Sequence, residues 1–456
     1  MNIVIVSAGV IASRIAAMLV KEGHDVTIID QSEAALDNIS LRLDVKTVQG
    51  SGVNPKVLME ADVGSADIVV AVTRNDERNV ITCFVAKELG AKRTVARIQN
   101  PEYPGYFLAP AKSPRAPRRI VRPKKLGVDL LVNPEILAAE YILDTLSTLF
   151  VSPVESVANN LVQIGEFAVE RDEITNIPIG SMDFSKPGII ALVVRSRDVF
   201  VPGPADTLQL SDHVFIVSAF GNMDAIGRMF SRPKKAARNI IIVGGGAVGY
   251  HVAENMEKRG AHVKIIEQDK DRCAEISRKL EKTLVIHGEV TSEDFLRDEG
   301  VNSADAFIAA ADRDELNILI SLLAKNLGAS RSMGLVNRRE YISMAEAIGV
   351  DIIVSPLLLA NNAFLRFVRE PRVLSSTSLA GGDAEAIEML VEPESPVLGK
   401  PLNKIDLPEN VLIGAVIRDG KVSIPTGDHL IREGDRVVLI GLGSDLPAGE
   451  KLFERK

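Results

Sequence analysis

The sequence predicts an α/β protein built from two tandem doubly wound domains, each followed by a small α+β domain. Three observations support this prediction: a strand–turn–helix motif occurs twice, β-branched runs alternate with helical patterns, and each copy ends in short strands separated by turns. With 456 residues, the chain is also too long for a single hydrophobic core. We therefore expect four domains in the order large, small, large, small.

The duplication is visible in the spacing of the motifs. The strand and glycine turn at 3–9 recur at 241–246. The strand that ends in Asp30 recurs, at the same separation, as the strand that ends in Glu267. A repeat of this length predicts two units that share one fold.

The first part of each copy has the pattern of a parallel sheet. Its β-branched runs lack polar alternation, which suits strands buried on both faces. Examples are residues 25–29, 68–72 and 94–98. Gly23 and Gly260 follow the first helix of each copy, where a left-handed C-cap is expected. Longer helices are predicted at about 134–150 and 356–370, each with a proline near its start.

The second part of each copy is short and rich in strands. The turns at 418–421 and 432–435 contain Asp-Gly and Glu-Gly pairs and are predicted to close hairpins. The polar stretch 231–237 is the predicted linker between the copies. These patterns give the predicted domains 1–133, 134–230, 238–355 and 356–456.

Composition excludes several classes of protein. Two cysteines, Cys83 and Cys273, are too few for a disulfide framework or a zinc cluster and are predicted to be buried packing residues. A net charge of −8 and the absence of tryptophan argue against nucleic-acid binding. The first residues predict a buried strand rather than a signal peptide, so we expect a cytoplasmic protein.

The second copy contains a complete glycine fingerprint for a dinucleotide. Gly244, Gly246 and Gly249 follow a strand and open a helix, as the pyrophosphate-binding turn of a Rossmann fold requires. The helix N-terminus then offers free N–H groups to the phosphates. Glu267 ends the next strand, where a carboxylate accepts hydrogen bonds from ribose hydroxyls and repels a 2′-phosphate. The pattern therefore predicts NAD or NADH as the cofactor.

The first copy departs from this fingerprint. Ser7 and Ala12 replace the outer glycines, while Gly9 and Asp30 remain. Alanine is tolerated at the third position, but a Cβ at Ser7 narrows the turn that faces the phosphates. We expect the second copy to bind NAD(H) more tightly than the first.

Catalytic motifs are absent from the sequence. It has no G-x-S-x-G elbow, no H-E-x-x-H pair and no Walker A loop, and its six histidines are scattered. The unit that follows each nucleotide-binding pattern is also small for a substrate domain. We therefore predict a regulatory protein without catalytic or metal-binding residues; an NAD-dependent oxidoreductase of duplicated architecture is the alternative.

Several short motifs resemble those of RCK (KTN) domains, each followed by an RCK-C domain, in the peripheral regulatory subunits of Trk potassium-uptake systems. In the first copy they are 48–52, 66–67, 70–73, 76–79 and 97–98. In the second copy they are Gly288, 304–305, 314–317 and 338–339, and in the small domain they are 418–420, 424–425 and 434–437. The resemblance covers the whole chain apart from one insertion.

The resemblance implies a ligand, an assembly and a partner. The ligand is NAD(H), with ATP or ADP as further nucleotides. The implied assembly is a homo-oligomer, commonly a tetramer, beneath a dimeric potassium-channel membrane subunit at the inner face of the membrane. The implied nucleotide contacts in the first copy are Ser7, Ala8, Gly9, Val10, Ile11, Asp30, Gly50, Ser51, Thr73, Arg74 and Arg97. Those in the second copy are Gly244, Gly245, Gly246, Ala247, Val248, Gly249, Glu267, Gly288, Glu289, Ala311 and Asp312.

The insertion is confined to the first copy, at about 104–122. Residues 103–128 contain seven basic residues, five prolines and no acidic residue. Such a segment is typical of a solvated, disordered loop. The alternative is a contact with anionic lipid headgroups or with an acidic surface of a partner.

Overall fold

The computed structural model describes residues 1–100, 123–147, 154–158, 161–184, 186–196, 198–231, 237–290, 292–369 and 373–453. The basic insertion lies outside the described residues. By its contacts the chain divides into two units. One unit contains Met1–Ala139 and Ser355–Val368, and the other contains Glu140–Val354 and Arg369–Lys456.

The first copy begins with a six-stranded parallel sheet of order β3-β2-β1-β4-β5-β6. Its strands are β1 (Asn2–Val6), β2 (Asp25–Asp30), β3 (Lys46–Gln49), β4 (Ile68–Ala71), β5 (Arg93–Arg97) and β6 (Leu130–Val132). The helices are α1 (Val10–Lys21), α2 (Glu33–Ser40), α3 (Pro55–Glu60), α4 (Asp76–Leu89) and α5 (Pro134–Ser147). Every residue of β4 is buried, as expected for a strand covered by helices on both faces.

The second copy repeats this sheet after the first small domain. The strands are β12 (Asn239–Val243), β13 (His262–Glu267), β14 (Leu284–His287), β15 (Ala306–Ala309), β16 (Ser332–Leu335) and β17 (Ile352–Val354). The helices are α7 (Ala247–Lys258), α8 (Lys270–Lys279), α9 (Glu293–Asp298), α10 (Asp314–Leu327), α11 (Arg339–Ala347) and α12 (Pro356–Arg369). The order β14-β13-β12-β15-β16-β17 equals that of the first sheet, which confirms the predicted duplication.

Two small antiparallel sheets complete the fold. The first contains β7 (Val154–Val157), β8 (Val162–Ala168), β9 (Gly188–Arg195), β10 (Asp198–Phe200) and β11 (His213–Ala219), with helix α6 (Met223–Phe230). The second contains β18 (Val373–Leu379), β19 (Ala384–Leu390), β20 (Val411–Arg418), β21 (Lys421–Ser423) and β22 (Arg436–Leu442), with helix α13 (Leu446–Glu450). Their orders, β10-β9-β11-β8-β7 and β21-β20-β22-β19-β18, are equivalent. The predicted fold class is therefore confirmed.

The two small sheets contain the same ion pair, in which the aspartate is buried and the arginine is partly exposed. Arg195 donates from Nε and Nη2 to Asp212 at 3.0 and 2.8 Å, and Arg418 makes the same two bonds to Asp435, both at 2.7 Å. Burial alone would raise the pKa of Asp435, but the hydrogen bonds from Arg418 and from the N–H of Arg432 lower it below its usual value. The pair joins the end of the third strand of each sheet to the start of the fifth.

The small sheets also share one hydrophobic core, which the sequence patterns did not predict. Ala191 and Val217 of the first sheet belong to the same buried cluster as Ala384, Ala415 and Ile440 of the second. Each sheet therefore buries one face against its duplicate, and a single small domain would expose that face to water.

Helices α5 and α12 connect the large and small domains of each copy. The C-terminal end of each of these connecting helices is bound by an arginine of the other copy. Arg93, the first residue of β5, donates to the carbonyl oxygens of Phe367 and Val368 in α12 at 2.7 and 3.1 Å. Arg331, at the equivalent position before β16, is almost completely buried and donates to the carbonyl oxygen of Thr145 in α5 at 2.9 Å. Cations at helix C-termini interact favourably with the unpaired carbonyl groups there.

Other sequence predictions have mixed outcomes. Gly23 and Gly260 have φ values of 78° and 83° and end their helices as expected, and both cysteines are buried and free. The turn at 418–421 joins β20 to β21 as a hairpin. The hairpin predicted at 432–435 is wrong, because this turn leads from an irregular loop into β22, whose neighbours are β19 and β20. The four domain boundaries stay predictions.

No helix in the described ranges has the length and the apolar character that spanning a membrane requires.

Candidate nucleotide-binding site

The glycine loop of the second copy joins β12 to α7. Gly244 has a φ of 100°, a conformation that favours glycine, and its N–H donates to the carbonyl oxygen of Ile266 at 2.9 Å. A Cβ at Gly249 would collide with the carbonyl oxygen of Gly244, so this glycine permits close packing of the helix on the loop. A Cβ at Gly246 would meet no described atom within 4 Å. Gly246 therefore faces open space, on the side where a ligand can approach the backbone.

The carboxylate of Glu267 closes one side of this loop. Its Oε2 accepts a hydrogen bond from the N–H of Gly245 at 2.6 Å, and its Oε1 accepts one from the N–H of Asp269 at 2.9 Å. These bonds fix both oxygens beside the loop and leave each with a lone pair. The geometry suits a carboxylate that accepts two neighbouring hydroxyl groups, as a ribose diol provides.

Arg272 is a further residue at the loop that the sequence reasoning missed. Its Nε donates to the carbonyl oxygen of Gly245 at 2.8 Å, and its Nη1 donates to Glu275 at 2.6 Å. Arg272 lies on α8, and no fixed spacing in the fingerprint marks this position. The contact of Arg272 with the loop is visible only in the structure, where α8 packs beside the loop.

The N-terminus of α7 offers free hydrogen-bond donors. The first helical bond runs from the N–H of Tyr250 to the carbonyl oxygen of Gly246, and no side chain caps the helix. In the described part of the chain, the N–H groups of Gly246, Ala247 and Val248 have no acceptor. Donors at a helix N-terminus, aligned with the positive end of the helix dipole, are suited to bind phosphate.

The first copy has the same framework, with Ser7 in place of the first glycine. Asp30 accepts from the N–H of Ala8 at 2.7 Å and from the N–H of Ser32 at 2.9 Å, as Glu267 does in the second copy. Ser7 has a φ of 133°, which is strained for a residue with a side chain. Its Oγ accepts a hydrogen bond from the N–H of Gly9 at 3.0 Å. One donor of the first loop is therefore occupied by the chain itself.

The remaining predicted residues lie at the carboxyl edges of the two parallel sheets. In the first copy they follow β3 (Gly50, Ser51), follow β4 (Thr73, Arg74) or end β5 (Arg97). In the second copy they follow β14 (Gly288, Glu289) and β15 (Ala311, Asp312). The order of strands reverses between β1 and β4 and between β12 and β15, and ligands of doubly wound sheets bind at such a point. Topology thus brings the predicted residues of each copy to one crevice.

A buried asparagine in each copy shapes this edge. The Oδ1 of Asn79 accepts from the N–H and hydroxyl of Thr73, and its Nδ2 donates to the carbonyl oxygens of Thr73 and Arg97. Asn317 makes the equivalent bonds to Ala311 and Leu335. The asparagine therefore fixes the spacing between the ends of two strands that border the crevice.

The two crevices differ in charge. Arg97 is half-buried near Glu135, and the Nε of Arg97 and the Oε2 of Glu135 have no hydrogen-bond partner among the described residues. Burial lowers the pKa of Arg97 and raises the pKa of Glu135, and each charge partly offsets the shift of the other. The equivalent residues of the second copy are Leu335 and Leu357, which are both buried. The arginine is thus a feature of the first copy alone.

Comparison with known proteins identifies the family. Residues 3–134 and 240–356 match the TrkA-N domain, and residues 386–454 match the TrkA-C domain. The chain is 33% identical to the Trk system potassium uptake protein TrkA homolog 2 of Methanosarcina mazei, over 100% of both chains. The chain belongs to the TrkA family. It is also 34% identical to TrkA of Azorhizobium caulinodans, over 99% of this chain and 98% of that one.

A solved structure supports the same fold over nearly the whole chain. The GsuK channel bound to NAD superposes with a TM-score of 0.62 at 17% identity, covering 99% of this chain and 78% of the channel chain. The TrkA-C match falls in the second small domain, yet the first small domain has the same strand order and the same arginine–aspartate pair. Both copies of this TrkA family member therefore contain a complete pair of large and small domains.

Proposed function

We propose that the chain is the nucleotide-binding regulatory subunit of a Trk-type potassium-uptake system, with NAD(H) as the main ligand. The observation that carries this proposal is the second glycine loop, where Glu267 is anchored by the N–H of Gly245 while Gly246 faces open space. A carboxylate in this position repels a 2′-phosphate, which favours NAD(H) over its phosphorylated form. Membership of a family named for potassium uptake supports the transport role.

The packing of α1 supports a regulatory mechanism. Helix α1 begins at the first nucleotide loop, and its Ala12, Ile15 and Leu19 belong to the same buried cluster as Ala360 and Phe364 of the connecting helix α12. A nucleotide that binds at the start of α1 therefore acts on a helix in direct contact with the other copy's connecting segment. Differential binding to two arrangements of these helices shifts the population between them.

The partner in this proposal is a potassium-channel membrane subunit of the Trk type. The regulatory subunit lies at the inner face of the membrane, and its nucleotide-dependent conformations bias the channel between conducting and closed states. ATP and ADP are proposed as additional ligands, since a structure of the related GsuK fold is described as bound to ADP.

We also propose that the chain forms a homo-oligomer, with four copies in the assembly. Helices α4 and α10 each expose apolar residues at equivalent positions, Ile81 at 48% and Leu319 at 64%. Phe84 on α4 and Met344 on α11 are exposed as well. Ile81 and Phe84 lie three residues apart on α4 and so share one helix face, and an exposed apolar face of this kind is a candidate contact surface.

The regulatory proposal predicts that the purified chain binds NADH without consuming it. The chain is titrated with NADH by calorimetry and then incubated with NADH and candidate oxidants while the absorbance of NADH is followed. We expect saturable binding and stable absorbance, because the sequence contains none of the catalytic motifs considered above. Turnover of NADH with a substrate would instead favour the oxidoreductase alternative.

A further inference from the structure

The two glycine loops are nearly identical in their backbone bonds, but the side chain of Ser7, which replaces Gly244, adds a hydrogen bond within the first loop. The N–H of Ser7 donates to the carbonyl oxygen of Ile29 at 2.8 Å, as the N–H of Gly244 donates to that of Ile266 at 2.9 Å. The following N–H donates to the acidic residue in both copies, at 2.7 and 2.6 Å. The third N–H differs: that of Gly9 donates to the Oγ of Ser7, whereas that of Gly246 has no acceptor among the described residues.

We propose that the Ser7 hydroxyl is an internal competitor for pyrophosphate and sets the ligand selectivity of the first nucleotide site. This proposal rests on the proposed nucleotide-binding function. The N–H that a pyrophosphate oxygen would use in the first loop is already bonded to a side-chain oxygen of the same loop. That oxygen occupies the space beside Gly9, since a Cβ built on Gly9 would lie 3.3 Å from it.

The strands beside the serine and its glycine equivalent differ in one hydrogen bond. In the second copy a Cβ at Gly244 would collide with the carbonyl group of Ala310. In the first copy the equivalent residue is Val72, and its N–H lies 3.1 Å from the carbonyl oxygen of Val6, compared with 2.7 Å between Ala310 and Val243. The two strands beside Ser7 are therefore joined by a longer hydrogen bond than the strands beside Gly244. Ser7 therefore occupies the position of Gly244 but adds a side chain that takes part in the bonding of the first loop.

The consequence is a different ligand class at each site. Asp30 keeps the carboxylate that would accept the ribose hydroxyls, held by the N–H groups of Ala8 and Ser32, so the first site retains the acceptor that an adenosine requires. The first site lacks one free hydrogen-bond donor for a pyrophosphate, because the N–H of Gly9 is bonded to Ser7. The first site thus discriminates weakly between adenosine and a pyrophosphate-containing nucleotide such as NAD, whereas the second site prefers NAD strongly.

The test removes the hydroxyl and measures two ligands. Three chains are compared, all with the second site disabled by Gly246→Ala and Glu267→Ala. One keeps Ser7, and the others also carry Ser7→Ala or Ser7→Gly. Each is titrated with NAD and with adenosine by calorimetry. Both substitutions release the N–H of Gly9. We expect NAD to bind about tenfold more tightly, equivalent to about 1.4 kcal/mol, while adenosine binding stays unchanged. Ser7→Gly also relieves the strained φ and serves as the variant most certain to fold.

Ser13→Ala is the matched control. The hydroxyl of Ser13 belongs to the same segment but donates to the carbonyl oxygen of Gly9 at 3.0 Å, so its removal frees no N–H group. We expect NAD affinity to be unchanged in this variant. If neither Ser7 variant binds NAD more tightly, or if adenosine gains as much as NAD, the proposal is overturned. Absence of NAD binding to the chain with both sites intact would contradict the proposed function instead.

Discussion

Gly246→Ala and Glu267→Ala are each expected to abolish or strongly weaken the tighter phase of NAD(H) binding in calorimetry. A methyl group at Gly246 occupies the open space where pyrophosphate must approach the backbone, and it meets no described atom of the protein within 4 Å. This variant should therefore lose the ligand without losing stability. Loss of the Glu267 carboxylate removes an acceptor for the ribose hydroxyls, worth roughly 1–3 kcal/mol when it is desolvated in the complex.

Asp30→Ala is the matched control for this ranking of the two sites. Asp30 makes the equivalent bonds in the first copy, so its loss should affect only the weaker phase, or a phase seen with an adenine nucleotide. Both acidic residues also anchor their loops, and circular dichroism should confirm that each variant is folded. A tight phase that disappears in Asp30→Ala and persists in Glu267→Ala would reverse the ranking.

The paired substitution Ile81→Glu and Leu319→Glu is expected to convert the oligomer to a single chain of 49.2 kDa. Assembly of the variant would require two carboxylates per chain to be desolvated at the proposed contact faces. The free-energy cost of this desolvation exceeds that of losing the two apolar contacts alone. Light scattering at micromolar concentration measures the mass of the parent and of the variant.

Leu41→Glu provides the control for this substitution. Leu41 is even more exposed, at 84%, but lies outside helices α4 and α10. Its replacement should leave the mass of the oligomer unchanged. A parent chain that is already a stable monomer at this concentration would contradict the assembly that we propose.

The parallel sheets could be predicted because their signals are local. Uninterrupted β-branched runs, glycine C-caps such as Gly23 and the fingerprint at Gly244 each depend on a few neighbouring residues. The order of the strands then follows from the rules of doubly wound folds. The acidic positions Asp30 and Glu267 were found for the same reason, since strand length fixes their distance from the glycine loop.

Other features depend on contacts between distant segments and left no local signal. The shared core of the small sheets requires Val217 and Ile440 to meet, although hundreds of residues separate them. The pairing of Arg331 with Thr145 spans 186 residues. The approach of Arg272 to the second loop spans only 27 residues, but it depends on how α8 packs. The Ser7 side chain was recognised as a departure, but its bond to Gly9 depends on a backbone geometry that the sequence does not specify.

The most direct test of the account is potassium flux through a Trk-type membrane subunit reconstituted in lipid vesicles with the purified chain. We predict that NADH changes the flux when the parent chain is bound. The Gly246→Ala chain is expected to keep its fold, since the added methyl group meets no described atom, and should give a flux that NADH no longer changes. Flux that is identical with and without NADH, while calorimetry shows that the parent chain binds NADH, would contradict the proposed regulatory function.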